Sequence, residues 1–373
     1  MNLCQGRIGK QEGANLAGIA LVSSALFVMD ITEKYQYGNA TYVSFPGAIF
    51  LAFVLFLLLA EAMRISKQKD LPALVDYALG KFVGDALMAV VCAFLFINAY
   101  CLVSRFVTMV HAFVFMQVTP FPVLLWIVPV VVYTAFRGLE CIARMAKCFG
   151  VLLGIVLLFE LLLPAQGYES YRLYPLPLDH WETIAADAFT GTFTTVPALL
   201  ALLCMAQGMQ GTGSAKQAGT VGALVSIALV ALVQIAIGMT YTYTELQTMF
   251  IPFYRLNMKL IQEGYFFRLD KMMLFLWLIG AIIASAYYLY GASFLFCRRW
   301  SRYDVRPAVV AAGVILLCCL AAEHSGQYEA VQGAFHLVQS FGAWFLVVPF
   351  VAAAVAALIK TFVKRRRANE KTA

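Results

Sequence analysis

The chain has 373 residues, of which 62% are hydrophobic and 13% charged, with a mean hydropathy of +0.81 and a formal net charge of +7. A water-soluble domain of this length needs far more charge to cover its surface, so a soluble enzyme fits poorly. Nor does the basic balance signal nucleic acid: of 27 Lys and Arg, 20 fall on the N-terminus, every second connection and the C-terminus, six on the opposite connections, and Arg105 inside a span. That sorting describes an all-α polytopic membrane protein with both ends in the cytoplasm.

A spanning helix needs about 20 mostly apolar residues. Ten transmembrane helices are predicted, over 13–31, 41–63, 84–112, 121–136, 141–163, 184–208, 218–241, 271–297, 307–322 and 336–361. The first follows Arg7 and Lys10 as a signal peptide would. Asp30-Ile31-Thr32-Glu33-Lys34 comes after it in place of a small-residue cleavage site, so it reads as a retained helix. The third is too long for a straight span and must tilt or project. Arg64, Lys67, Lys69 and Lys81 mark the loop after span two as inside; Arg137, Arg144 and Lys147 do so after span four, and Arg298, Arg299, Arg302 and Arg306 after span eight. Opposite loops carry Asp30 and Glu33, then Glu169, Asp179 and Glu182, then Glu323 and Glu329.

Residues 164–182 hold Tyr168, Tyr171, Tyr174, Pro175, Pro177, His180 and Trp181, a composition suited to a membrane interface. Residues 245–270 predict a short amphipathic helix after Pro252, with Phe253, Leu256 and Leu260 on one face and Arg255, Lys259 and Glu263 on another. The final basic run Lys364-Arg365-Arg366-Arg367 reads as a topology anchor, with contact to membrane lipid or a partner as the other reading. The nine cysteines have no metal or pairing spacing, and none falls in an outside loop, so no disulfide is expected.

Ten spans divide into two sets of five, 13–163 and 184–361, within one membrane domain. An odd number makes the second set enter from the opposite side, which is the geometry of a five-plus-five inverted repeat. In such folds the first helix of each half is broken near the midplane, where backbone groups face a ligand. Span one offers Gly18 and Ser23-Ser24-Ala25. Span six offers Gly191-Thr192-Phe193-Thr194-Thr195-Val196-Pro197, where Pro197 removes a helix hydrogen bond. These residues suit a small polar ligand held by hydroxyl and backbone groups. Small residues also pack membrane helices and a proline can simply kink one, so the pattern alone allows both readings.

Asn98, Cys101, Arg105, Thr108 and His111 form one polar stripe on span three. Arg105, an ionisable group inside a span, is a candidate to meet an anion or carboxylate; the other reading is a snorkelling or structurally paired arginine. Glu160 and Asp187 could each titrate or bind a cation, yet each sits near a span end and reads first as a solvated acid; Glu61, at the inner end of span two, reads as a boundary charge. Enzyme and cofactor signatures are missing. The four histidines have no metal spacing, and Gly208-Met209-Gln210-Gly211-Thr212-Gly213 lacks the Lys-Ser/Thr of a phosphate loop and reads as a turn.

Two stretches go further. Arg137-Gly138-Leu139-Glu140-Cys141-Ile142-Ala143-Arg144 resembles the start of the fifth helix in the B-subunits of spore germinant receptors. Tyr254-Arg255-Leu256 through Gly264-Tyr265-Phe266-Phe267-Arg268-Leu269-Asp270, followed by Trp277, is similar to that family's outer loop, and Arg105-Phe106 to an Arg-aromatic position of its third helix. The resemblance covers nearly the whole chain. It implies a LeuT-like fold of the amino acid–polyamine–organocation transporter superfamily. It also implies a nutrient-sensing subunit in the spore inner membrane or cell membrane that binds an amino acid or similar germinant. The implied partners are an A-type membrane subunit and a C-type lipoprotein. Where family members carry a Pro after the Ser-Ala of helix one, this chain reads Ser24-Ala25-Leu26, and of the family's "FPFGE" in helix six it keeps only Pro197.

Overall fold

The computed structural model describes residues 8–29, 41–114, 117, 119–174, 181–246, 249, 252–259, 269–301, 304–324 and 328–370. Its α-helices are α1 Lys10–Ser23, α2 Thr41–Ser66, α3 Leu71–Leu79, α4 Lys81–Phe113, α5 Pro120–Phe136, α6 Leu139–Leu162, α7 Trp181–Cys204, α8 Thr212–Thr240, α9 Tyr243–Leu246, α10 Pro252–Lys259, α11 Leu269–Phe296, α12 Val305–His324 and α13 Tyr328–Glu370. Among the described residues eight helical segments are long and apolar enough to cross a membrane. The segment Pro120–Phe136 is apolar but shorter, and α1 reaches spanning length only by running on into a π-helical turn, Ser24–Val28. The length of α4, 33 residues, corresponds to about 50 Å at 1.5 Å per residue, well over a ~30 Å hydrocarbon core.

The long helices form one packed bundle whose contacts come in matched sets. α1 lies on α8 as α2 lies on α7; α1 meets α6 as α7 meets α13; α1 meets α11 as α7 meets α4. α2 crosses α8, α4 crosses α11 and α5 crosses α12. Exchanging the first five long helices for the second five leaves nearly all these pairings unchanged.

Contacts at the helix ends place both termini on one face. Ile8 N–H bonds Gly208 O at 2.9 Å, Lys216 Nζ lies 3.0 Å from Glu61 Oε2, Lys147 Nζ lies 3.8 Å from Glu12 Oε1, and Lys360 Nζ donates to Ala78 O at 2.8 Å. The loop read as a charged connection after span two folds instead into α3. Its N-cap Asp70 accepts from Ala73 N at 3.1 Å, and Pro72 occupies the first turn. Gly80, at φ 90°, then reverses the chain into α4, a conformation that costs a side-chain-bearing residue strain.

At the opposite face α10 forms where the amphipathic pattern predicted it, with Phe253 and Leu256 buried and Arg255 exposed. Leu260, Glu263 and the loop 264–268 lie outside the described residues, as do the side chain of Lys259, the acids Asp30, Glu33 and Asp179, and the side chain of Glu329. Tyr171, Tyr174 and Trp181 are exposed, as an interfacial belt requires; Pro175, Pro177 and His180 are outside the described residues. Tyr168 is tucked inward instead. Burial pushes its hydroxyl up to about 12, so it stays protonated and donates to Leu161 O at 2.6 Å.

The closest seam joins α1 to α8 through glycines. A Cβ on Gly222 would stand 2.7 Å from Ala14 O and 2.9 Å from Ala17 Cβ, and Ser226 Oγ reaches Gly18 O at 3.3 Å. Gly222→Val is expected to push the two helices apart and lower stability by about 1–3 kcal/mol. Gly213→Ala, in open space on the same helix, is expected to leave it unchanged or raise it by under ~1 kcal/mol. Thermal unfolding of the two purified variants checks the contrast.

Candidate functional site

The site is built around a discontinuity in the first long helix. At Ser24 the α-helix widens into the π-helical turn, where Met29 N–H bonds Ser24 O five residues back. A register change inside hydrocarbon leaves backbone groups in need of partners. Tyr288 of α11 stands against the widened turn: its hydroxyl lies 2.6 Å from Ser24 Oγ and donates at 3.3 Å to Ala20 O, a carbonyl that also accepts the Ser24 N–H. Its neighbour Tyr287 turns to α7 and donates to Ala198 O at 2.8 Å. Both tyrosines are fully buried.

The matching break predicted in span six is absent. α7 runs unbroken from Trp181 to Cys204 through Pro197. Pro197 has no N–H to offer Phe193 O four residues earlier. Asn98 Nδ2, from α4, donates to that carbonyl at 3.3 Å and to Phe94 O at 2.9 Å. The side-chain donor lets the helix continue where an unassisted proline would end it. The nearby hydroxyls are similarly committed to backbone: Thr192 to Phe189 O at 2.6 Å, Thr194 to Gly191 O at 2.9 Å, and Thr195 to Ala48 O of α2 at 3.2 Å.

The structure therefore brings Ser24, Ala25, Asn98 and Pro197 together where α1, α4, α7 and α11 meet. Gly191, Thr192, Thr194 and Thr195 are buried on α7 beside them. Ser23 faces elsewhere, into a cavity of about 100 Å³ between α1, α6 and α8, lined also by Asn15, Gly18, Gly154, Gly222 and Trp277. Ser23 Oγ and Asn15 Nδ2 are both buried there with no hydrogen-bond partner among the described residues. Arg105 stands about 10 Å further along α4 than Asn98, half-buried, beside Cys101 and within electrostatic reach of the same thiol as Glu323. It belongs to a second polar group, in which Glu323 accepts from Tyr100 at 2.7 Å and Ser104 at 2.9 Å. Of the stripe on span three, Asn98 serves α7 and Thr108 donates to Ser104 O of its own helix at 2.8 Å, while it is Tyr100 and Ser104, beside the stripe, that reach the end of α12.

Glu160 is the clearest misplacement. Read as a solvated boundary acid, it is 1% exposed and accepts the Trp277 indole N–H at 3.0 Å. Trp277 also joins the aromatic cluster that closes this end. Phe27, in the π turn, packs edge-on against Phe106 at 4.6 Å, Trp277 at 5.7 Å and Phe253 of α10 at 6.0 Å. The end bearing the termini is closed by ions. Asp70, wholly buried, is held by Arg298 at the end of α11 and Gln207 at the end of α7. Arg299 bonds Asp76 at 2.7 Å and pairs with Asp85. The tyrosine pair and Asp70 were missed in the sequence and Glu160 was read as solvated; the tyrosines and Glu160 are polar side chains in apolar stretches, whereas Asp70 sits among the basic residues Lys67 and Lys69 and carried no such signal.

A π-broken first helix, packed against the third long helix of the opposite half, is the arrangement of a LeuT-like fold. Solved structures agree on the fold. A Na⁺-coupled sialic acid symporter in a substrate-bound outward-open state aligns with a TM-score of 0.68 at 11% identity, over 94% of this chain and 89% of that one. Mhp1, a nucleobase-cation-symport-1 family transporter in a closed conformation with bromovinylhydantoin bound, gives 0.56 at 12% identity, over 98% and 94%. A manganese transporter of Eremococcus coleocola gives 0.59 at 12% identity, over 94% and 78%. No curated protein matches the sequence. Residues 20–326 match the Spore_permease family, described as spore germination protein, and the chain belongs to that family.

Asn98→Leu removes the donor to Phe193 O and is expected to cost about 1–3 kcal/mol. Pro197→Ala restores a backbone N–H at the right position. In that background the Asn98→Leu cost is expected to fall by at least about 1 kcal/mol, read as non-additivity in a thermal or denaturant double-mutant cycle.

Proposed function

We propose that this chain is the nutrient-sensing B-type subunit of a spore germinant receptor. It would sit in the spore inner membrane, with ten membrane crossings arranged as a five-plus-five inverted repeat. Both ends lie in the cytoplasm, because the termini share a face and most of the basic residues sit at that end. Membership of the spore germination family, together with a first helix broken at Ser24, carries this reading.

A small amino-acid-like germinant binds where α1, α4, α7 and α11 meet. Ser24, exchanging its bond to Tyr288 for one to the ligand, and the backbone at Ala25 receive its polar groups. Ser23 reaches it from the neighbouring cavity. Gly191, Thr192, Thr194 and Thr195 contribute backbone carbonyls and hydroxyls once they release their present acceptors. Asn98 and Pro197 hold α7 in place, and Arg105 acts as a charged contact beyond the aromatic cluster. Binding shifts the equilibrium between two arrangements of α1 and α7, and the A-type subunit and C-type lipoprotein respond to that shift. No covalent step and no cofactor is involved.

The second reading is a working transporter of amino acids or amines by alternating access, favoured by the fold's likeness to symporters. Deleting the gene in its sporulating host is expected to abolish germination with one class of nutrient. Proteoliposomes holding this chain alone are expected to take up no labelled amino acid. Tyr288→Phe is expected to shift the half-maximal nutrient concentration by about tenfold, the equivalent of one hydrogen bond. Robust uptake alongside normal germination would overturn the receptor reading. A Thr194→Leu, Thr195→Leu variant that germinates normally would remove those hydroxyls from the site.

A further inference from the structure

The run from Arg137 to Arg144 takes no part in the site above, yet it shapes a recess of its own. α6 begins at Leu139 after Gly138, whose φ of 92° carries the chain sharply out of α5. The helix has no side-chain cap at this N-terminus, and a Cβ on Gly138 would meet nothing within 4 Å. Arg137, Glu140, Cys141 and Arg144 line an open recess of about 760 Å³ with Phe136 from α5 and Arg306 from the start of α12.

Its charge is lopsided: among the residues that line it are three arginines and one carboxylate, Glu140, with Asp304 beside it accepting the Arg306 backbone N–H at 3.5 Å. Arg144 pairs with Glu140. The Arg306 guanidinium lies over the Phe136 ring, 5.6 Å from its centroid. Arg137 has no side-chain hydrogen bond or ion pair among the described residues. The uncapped start of a 24-residue helix adds partial positive charge to the same place.

Position selects the occupant. Directly along the helices from this recess, Tyr133 on α5, Val310 and Val314 on α12, and Val151 and Leu152 on α6 are exposed, forming an apolar outer surface. The arginines stand where that surface meets the end bearing the termini. A molecule that lays hydrocarbon on the first and places an anion at the second is a phospholipid. Arginine, with its planar fork of donors, suits a phosphate oxygen pair. We propose that this recess binds the phosphate headgroup of an anionic phospholipid, with its acyl chains lying along the exposed faces of α5 and α12.

The test uses the full-length protein in detergent, challenged with phosphatidylglycerol or with phosphatidylcholine of the same chains. Native mass spectrometry reads bound lipid and thermal unfolding reads stabilisation. Phosphatidylglycerol is expected to be retained preferentially, and Arg137→Gln with Arg306→Gln to cut that preference about tenfold while leaving phosphatidylcholine binding unchanged. Arg365→Gln with Arg366→Gln, in the exposed terminal run, is expected to keep it. Should the double glutamine variant not fold, the wild-type preference must still weaken as ionic strength rises. Equal retention of both lipids, a preference insensitive to the two substitutions or to salt, or equal stabilisation by inorganic phosphate alone would each overturn the proposal. So would variants that keep the lipid preference but lose a co-purifying acidic partner, which would make the recess a protein-docking site.

Discussion

Backbone polar groups inside hydrocarbon must find partners within the protein, and that single constraint organises this molecule. An unbroken helix meets it alone. A helix that widens at Ser24 or carries Pro197 does not, and a neighbour must provide what is lacking. Asn98 does so for α7, and Tyr288 braces the widened turn of α1 through Ser24 Oγ and Ala20 O. These bonds make α4 and α11 more than packing surfaces. They fix where the first helix of each half stands, and so where a pocket between the halves can open.

The two ends are closed by different physics. At the end bearing the termini, closure is ionic and hydrogen-bonded: Asp70 to Arg298 and Gln207, and Arg299 to two aspartates. Separating a buried pair leaves a desolvated charge behind, so that end opens only if water or another partner replaces the contact. At the opposite end Phe27, Phe106, Phe253 and Trp277 meet edge-on. Such contacts hold about 0.5–1.5 kcal/mol each beyond their burial and leave no charge exposed when parted. Parting the aromatic end therefore separates no ion pair, and α10 covers it, burying Phe253, Tyr254 and Leu256 and accepting from Tyr241 at Arg255 O at 2.9 Å.

That the chain is all-helical and crosses a membrane many times was legible because spans announce themselves by length and composition; of the ten predicted, eight helical segments among the described residues are long and apolar enough, Pro120–Phe136 is shorter, and α1 needs its π turn to reach spanning length. The amphipathic helix after Pro252 was legible for the same reason: its period survives without knowledge of the fold. What failed was anything that depended on a partner. Glycine, threonines and Pro197 predicted a broken sixth helix, because the rule for proline assumes that no donor stands nearby; Asn98, 99 residues earlier, was that donor. Glu160 read as solvated because it lies near the end of its own helix, and only the packing of α11 against α6 brings Trp277 onto it. α3 was hidden among the basic residues of a connection, and its apolar face has meaning only against α13 and α4.

The matched contacts set the π-broken first helix and the unbroken, proline-bearing sixth in equivalent surroundings. Exchanging the halves turns the pair α1 and α11 into the pair α7 and α4, so the support of Ser24 by Tyr288 and the support of Phe193 O by Asn98 occupy equivalent places. In each, the third long helix of one half serves the first helix of the other. The substituents are unequal. A tyrosine hydroxyl shared between Ser24 Oγ and Ala20 O has other acceptors at hand and can release the serine. An asparagine compensating for a missing proline N–H cannot leave without exposing a carbonyl. Equivalent positions thus hold one exchangeable bond and one fixed bond. In the proposed receptor, a ligand entering between the halves would meet a first helix able to rearrange and a sixth helix held straight, with α1 moving against α7 as its frame.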